Sequence, residues 1–213
     1  MEQKIQVSKT ARYYTYGNIA DAKYILYILH GYGQLAEFFI RKFHSLPKDV
    51  YIIAPEGLHR FYLKGSSGRV GASWMTKEAR EDDIQDNLNW LSELDITISN
   101  QIRPIKKFVL GFSQGGATAA RWYKKNDQLD ALIMWASIYP PDLSLKIDIQ
   151  NKHTIKQKNN HFVIGTKDQY FNSDDQKSIL DFFKKKGFKT HTFEGEHTIE
   201  KPILEHILKL LKK

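Results

Sequence analysis

Acyl transfer by a protein asks for a hydroxyl nucleophile, an imidazole base and a carboxylate that orients the base. The chain offers each in a distinctive setting. Ser113 lies in Lys107-Phe108-Val109-Leu110-Gly111-Phe112-Ser113-Gln114-Gly115-Gly116, where a strand-type apolar run stops at Gly111 and a small-residue, helix-compatible run follows. Glycines two residues either side of the serine permit a turn too tight for side chains bearing a Cβ. Such a strand–turn–helix lifts the serine Oγ above a sheet edge and aims the free N–H groups of the helix at the same spot. A hydroxyl is a poor nucleophile at neutral pH and needs a base. Of the eight histidines, His197 fits best, because it follows the terminal strand in the loop Glu194-Gly195-Glu196. His191 lies on that strand, His206 within the last helix, and His161 at the opening of a strand. Asp168, in Gly165-Thr166-Lys167-Asp168, is the expected orienting acid. Asp142, after an earlier strand, and Asp174 or Asp175, at a helix start, are its rivals.

Negative charge that develops on the substrate oxygen needs two N–H donors. One is expected from Gln114, directly after the serine. The other is expected in His30-Gly31-Tyr32-Gly33, where Tyr32 N–H is preferred and Gly33 N–H is the alternative. The His30 side chain reads as a brace for that loop. Trp74 and Met75, in the aromatic, glycine-rich stretch 58–76, are expected to wall the substrate site. The histidine spacing holds no zinc pattern such as H-E-x-x-H.

These residues must be carried by the ends of sheet strands. Lys23–Leu29, Val50–Ala54, Lys107–Leu110, Leu129–Ser137 and His161–Gly165 are apolar almost throughout. Such runs are expected of strands covered on both faces. Residues 10–16 read as an antiparallel edge strand and 188–193 as a final strand. Helices are expected over 34–46, 78–94, after Ser113, over 174–186 with Ser173 as cap, and over 199–211. The alternation predicts an α/β fold, a mostly parallel central sheet with helices on both faces. Ligand chemistry then belongs past the carboxyl ends of the strands, where Tyr32, Ser113, Asp168 and His197 all fall. Stretch 58–76 reads as an irregular loop, and 142–160 is polar with no clear period.

The chain has 213 residues, with 41% hydrophobic and 26% charged. That size and balance fit one globular domain over 1–213. No apolar run reaches the ~20 residues of a membrane span, and the N-terminus shows no secretory signal. Cysteine is absent. Its absence excludes disulfides and a thiolate nucleophile and fits a reducing, cytoplasmic setting. The net charge of +8 comes from scattered lysines without interleaved aromatics. It therefore reads as a solvated surface and not as a nucleic-acid interface. Oligomeric state is not legible.

Leu29-His30-Gly31-Tyr32-Gly33, Pro55-Glu56-Gly57, Ser73-Trp74, Gly111-Phe112-Ser113-Gln114-Gly115-Gly116, Gly165–Asp168 and Gly195-Glu196-His197 together resemble the phospholipase/carboxylesterase family of α/β-hydrolases, which includes acyl-protein thioesterases. The resemblance covers nearly the whole chain. It implies a serine hydrolase of carboxylic esters, or alternatively of thioesters or lysophospholipids, with Ser113, Asp168 and His197 as the triad and no metal or organic cofactor. The implied partner is a small-molecule substrate, with no large lid domain over it. A non-catalytic binding protein on the same scaffold competes with this reading, but such proteins usually lack a triad member. Two departures stand out: one residue is inserted in Gly195-Glu196-His197, and Asp168 is followed by Gln169-Tyr170-Phe171 where the family has a small apolar pair.

Overall fold

The computed structural model describes residues 1–143 and 159–213. Most of the polar stretch 142–160 lies outside the described residues. The main sheet has seven strands: β1 (Tyr13–Tyr16), β2 (Tyr24–Leu29), β3 (Val50–Pro55), β6 (Lys106–Phe112), β7 (Ala131–Trp135), β8 (His161–Gly165) and β9 (Lys189–Phe193). Their order is β1-β3-β2-β6-β7-β8-β9, and only β1 runs antiparallel. This is the expected α/β architecture, with β1 as the antiparallel edge.

Strand alternation divides the core. Leu26, Ile28, Phe108, Leu110 and Phe112 face one layer, which includes Leu204, Ile207 and Leu208 of α5 (Lys201–Leu211). Ile25, Tyr27, Leu29 and Val109 face the other, with α2 (Arg80–Ser99), α3 (Gln114–Lys125) and Phe183 of α4 (Ser173–Lys185). Because both faces are covered, the central strands carry apolar residues at nearly every position, which is why they read as continuous runs.

Three local expectations are corrected. The helix expected over 34–46 is a single turn, α1 (Ala36–Phe39), running into a 3₁₀ turn (Ile40–Phe43). Ile40, Phe43 and Leu46, recurring every third residue, are all buried. A 3₁₀ turn aligns that spacing on one side. Stretch 58–76 is not irregular: β4 (His59–Tyr62) and β5 (Val70–Ser73) form a hairpin. Its connection is tied by Leu63 N–H donating to Arg69 O and contains Gly65 and Gly68 at positive φ. The cap of α4 is Asn172, whose side chain accepts from Asp174 and Asp175 N–H, and Ser173 is the first helical residue. Asparagine caps as well as serine does, so the shift by one residue follows from backbone geometry.

Among the described residues, no helix is long and apolar enough to cross a membrane.

Candidate active site

Ser113 occupies the junction between β6 and α3 with φ 52° and ψ −122°. That backbone conformation costs a non-glycine residue free energy. Its surroundings hold it there. Ser113 N–H donates to Trp135 O at 2.9 Å, which continues the β6–β7 ladder into the turn. A Cβ on Gly111 would overlap Gly115 O, one on Gly115 would overlap the carbonyls of Leu29 and His30, and one on Gly116 would overlap Ser137 Oγ. The three glycines therefore let α3 fold back against its own strand, against β2 and against the segment after β7. The serine is strained because close packing on three sides over-determines its backbone.

The loop after β2 passes directly over this turn. A Cβ on Gly31 would press within 3.2 Å of Ser113 Cβ. Gly31 N–H donates to Gln34 Oε1 (2.9 Å) and Gly33 N–H to Ala72 O (2.9 Å). Tyr32 N–H has no acceptor among the described residues. Gln114 is the first residue of α3, so its N–H has none within the helix. Of the two sequence candidates in this loop, Gly33 has its donor already engaged and Tyr32 has it available.

His30 is fully buried below that loop. Its Nδ1–H donates to Gly31 O (2.8 Å) and its Nε2 accepts from Gly57 N–H (3.0 Å), an arrangement that needs a neutral ring. Burial pushes its pKa down to about 4, because a low-dielectric interior disfavours the charged ring. The imidazole ties the Pro55-Glu56-Gly57 turn to the loop after β2, as a brace should.

The acid and histidine loops are zipped together. Thr166 N–H donates to Phe193 O and Lys167 N–H to Gly195 O, extending the parallel β8–β9 pairing past the strand ends. Gly165 is required here because a Cβ would overlap Gly195 O. At the end of the zipper, His197 Nδ1 and Asp168 Oδ2 are 2.7 Å apart, with the Asp168 carboxylate fully buried. Its other oxygen accepts from Tyr170 N–H (3.0 Å). The residue inserted before His197 is absorbed by a tight turn, Thr198 N–H donating to Glu196 O (2.8 Å), and Thr198 O accepts from Trp135 Nε1. The rings of Phe112 and Tyr170 flank the imidazole, at 4.7 and 4.6 Å between centroids.

Of the rival carboxylates, Asp142 is committed elsewhere, and Asp174 and Asp175 stand exposed in the first turn of α4. Asp142 makes a two-pronged ion pair with Arg121 of α3, Nε to Oδ2 at 2.8 Å and Nη2 to Oδ1 at 2.6 Å, which holds its pKa below the ordinary value. Asp174 and Asp175 have their backbone N–H groups bound by Asn172 in the first turn of α4.

Trp74 does not wall a pocket. Its side chain is fully buried, and its Nε1 donates to His30 O (2.8 Å). Met75 is also buried, with its Sδ 3.7 Å from Arg121 Nη1. Burial turns both into supports beneath the site. The segment Ser73-Trp74-Met75 is gripped by a side chain that the sequence reading used only for its backbone. Gln114 Oε1 accepts from Trp74 N–H (3.1 Å), and its Nε2 donates to Met75 O (2.9 Å) and Ser73 Oγ (3.1 Å). The clue in the sequence is a long amide, Gln114, placed between the serine and two glycines whose contacts leave no space for side chains.

The chain is similar in fold to solved thioesterase and carboxylesterase structures over nearly its whole length. Acyl-protein thioesterase 2 of Zea mays superposes with a TM-score of 0.69 at 18% identity, covering 95% of this chain and 98% of that one. A Bacillus cereus carboxylesterase gives 0.69 at 13% identity, covering 95% and 93%. A phospholipase/carboxylesterase of Dyadobacter fermentans gives 0.63 at 17% identity, covering 98% and 99%. At these identities the likeness is one of fold. No curated protein sequence matches the chain. The sequence profile of the serine hydrolase (FSH1) family matches residues 21–205, nearly the full length of the sheet and all the loops described above. The chain therefore belongs to the serine hydrolase (FSH1) family.

Proposed function

We propose that this chain is a carboxylesterase-type serine hydrolase in which Ser113 is the nucleophile, His197 the general base and acid, and Asp168 the residue that orients His197. The observation that carries the reading is the 2.7 Å pair of His197 Nδ1 and Asp168 Oδ2. A buried carboxylate on Nδ1 fixes the tautomer, so that Nε2 is left with the lone pair a base needs. The strained turn at Ser113 and the two available N–H groups of Tyr32 and Gln114 support the same reading.

The reaction follows from these roles. Ser113 Oγ attacks the acyl carbonyl carbon as its proton passes to His197 Nε2. The carbonyl oxygen becomes an oxyanion held by Tyr32 and Gln114 N–H. The tetrahedral species collapses, the bond to the alcohol oxygen breaks, and His197 returns the proton to that oxygen. Water then attacks the acyl-serine with His197 again taking the proton, releasing the acid and free Ser113. The substrate is a carboxylic ester of short to medium acyl length.

A fluorophosphonate probe tests the nucleophile without presuming a substrate. Covalent labelling that maps to the peptide containing Ser113 is expected. No labelling of folded protein, or labelling of another serine, would overturn the assignment.

A further inference from the structure

Between the segment after β7 and α4 runs an apolar groove of about 690 Å³, lined by Ile138, Tyr139, Tyr170, Phe171, Ile179 and Phe182 among others. The volume is in the range of small-molecule sites. Ile138 and Tyr170 are 67% and 70% exposed. Two large apolar side chains so displayed on one groove offer a ligand apolar surface to cover. Two contacts tie the groove to the candidate site. The Tyr170 ring stands edge-on to His197, at 4.6 Å between centroids. Ile138 follows Ser137, whose Oγ lies against Gly116 of the turn carrying Ser113.

We infer that this groove holds the leaving alcohol of the ester, and that the alcohol is an extended apolar one. The inference rests on the esterase reading above. The direction comes from the chemistry: His197 must hand its proton to the departing alcohol oxygen, so the alcohol lies on the His197 side of Ser113, where the groove opens beside Tyr170. The carbonyl oxygen points the other way, towards Tyr32 and Gln114 N–H. The groove offers apolar contact along its length with Lys186 at its rim, where Nζ sits 4.5 Å from the centre of the Phe182 ring. An acyl chain would leave the groove's contacts in place throughout turnover, whereas an alcohol vacates it once the acyl-serine forms.

Two ester series separate these cases: acetates of ethanol through octanol, and ethyl esters of acetic through octanoic acid. In the acetate series kcat/KM is expected to rise by about threefold per methylene while the groove fills, with a common limiting kcat wherever deacylation governs turnover. The ethyl ester series is expected to be much flatter. Phe182→Ser and Ile138→Ser, both at exposed positions, are expected to shrink the octyl-to-ethyl ratio in the acetate series at least tenfold, with cooperative unfolding retained. A flat acetate series, a steep rise in the acyl series alone, or an unaltered ratio in both folded variants overturns the inference. Absence of turnover in both series, together with no fluorophosphonate labelling of Ser113, removes the esterase reading and this inference with it.

Discussion

The Gln114 side chain and the Trp74 backbone are joined at 3.1 Å, amide oxygen to N–H, while the Trp74 indole donates to His30 O at 2.8 Å. The residue after the serine therefore connects to the loop after β2 through one tryptophan. Both expected oxyanion donors, Gln114 N–H and Tyr32 N–H, are held at the ends of this strut.

Cutting the strut should loosen the two donors relative to each other while leaving the nucleophile present. Gln114→Ala keeps its own N–H but strands Trp74 N–H and Met75 O. Unfolding should cost about 1–3 kcal/mol less free energy than in the parent protein. Turnover should fall by about 10- to 100-fold, the scale of a misplacement near ~1 Å, with KM changed less than kcat. Ester kinetics and urea denaturation on the same preparation check this. An unaltered kcat would reduce the strut to a structural contact.

Asp168 and its rival Asp142 should respond differently. Asp168→Asn should lower kcat by about 10⁴, because the imidazole loses its fixed tautomer. Asp142→Asn should leave the acid in place and act through Arg121, which is buried and would lose its two-pronged partner. A stability loss of about 1.5–3 kcal/mol is expected, with a far smaller loss of turnover. Parallel rate and stability measurements on the two variants separate the roles, and a loss of about 10⁴ in Asp142→Asn would reverse the assignment.

The turn at Ser113 stores strain for the sake of geometry. Glycine tolerates positive φ, so Ser113→Gly should be about 1 kcal/mol more stable than the parent while inactive. Ser113→Ala should keep the strain and gain nothing. Gly116→Ala, by contrast, drives a Cβ into Ser137 Oγ. That overlap should destabilise by about 1–3 kcal/mol. Urea midpoints for the three variants decide the point; a Ser113→Gly variant less stable than Ser113→Ala would contradict it.

Acid should destabilise the fold before it protonates most carboxylates. Burial lowers the pKa of His30 to about 4 and that of His161 to about 3. His161, fully buried, meets His191 at 2.8 Å, and charge on either ring opposes charge on the other. An unfolded histidine binds its proton near pH 6.5. The unfolded state thus takes up protons first as pH falls. Stability is therefore full above pH 6.5 and declines from there to about pH 4 for His30 and about pH 3 for His161. For His30 alone the loss is on the order of 3 kcal/mol. Urea midpoints from neutral pH down to the range of the His30 pKa should show the fall, and His161→Gln should flatten it; an unaltered slope in that variant would rule His161 out.

Where packing is two-sided and local, the sequence was readable. The continuous apolar runs of β2, β6, β7 and β8 can be buried only between two layers, and the glycines around Ser113 mark places where backbones touch. The hairpin at His59–Ser73 was not readable, because its connection is built of glycines and serines that mimic a loop and β4 lies partly open to water. Trp74 misled for a related reason: an aromatic residue near a site signals a large apolar body, and only tertiary packing decides whether that body lines a cavity or fills the core. The side-chain role of Gln114 was hidden because its partners, Ser73, Trp74 and Met75, lie about forty residues away in the chain. The Asp142–Arg121 pair was hidden likewise, so Asp142 stood as a rival to the expected Asp168.

The proposed attack of Ser113 on an ester carbonyl is tested most directly by the steady-state hydrolysis of p-nitrophenyl acetate. The parent protein and Ser113→Ala are compared, each shown to unfold cooperatively. A loss of about 10⁴ or more in kcat is predicted for the alanine variant. Equal rates in the two proteins would show that Ser113 is not the nucleophile.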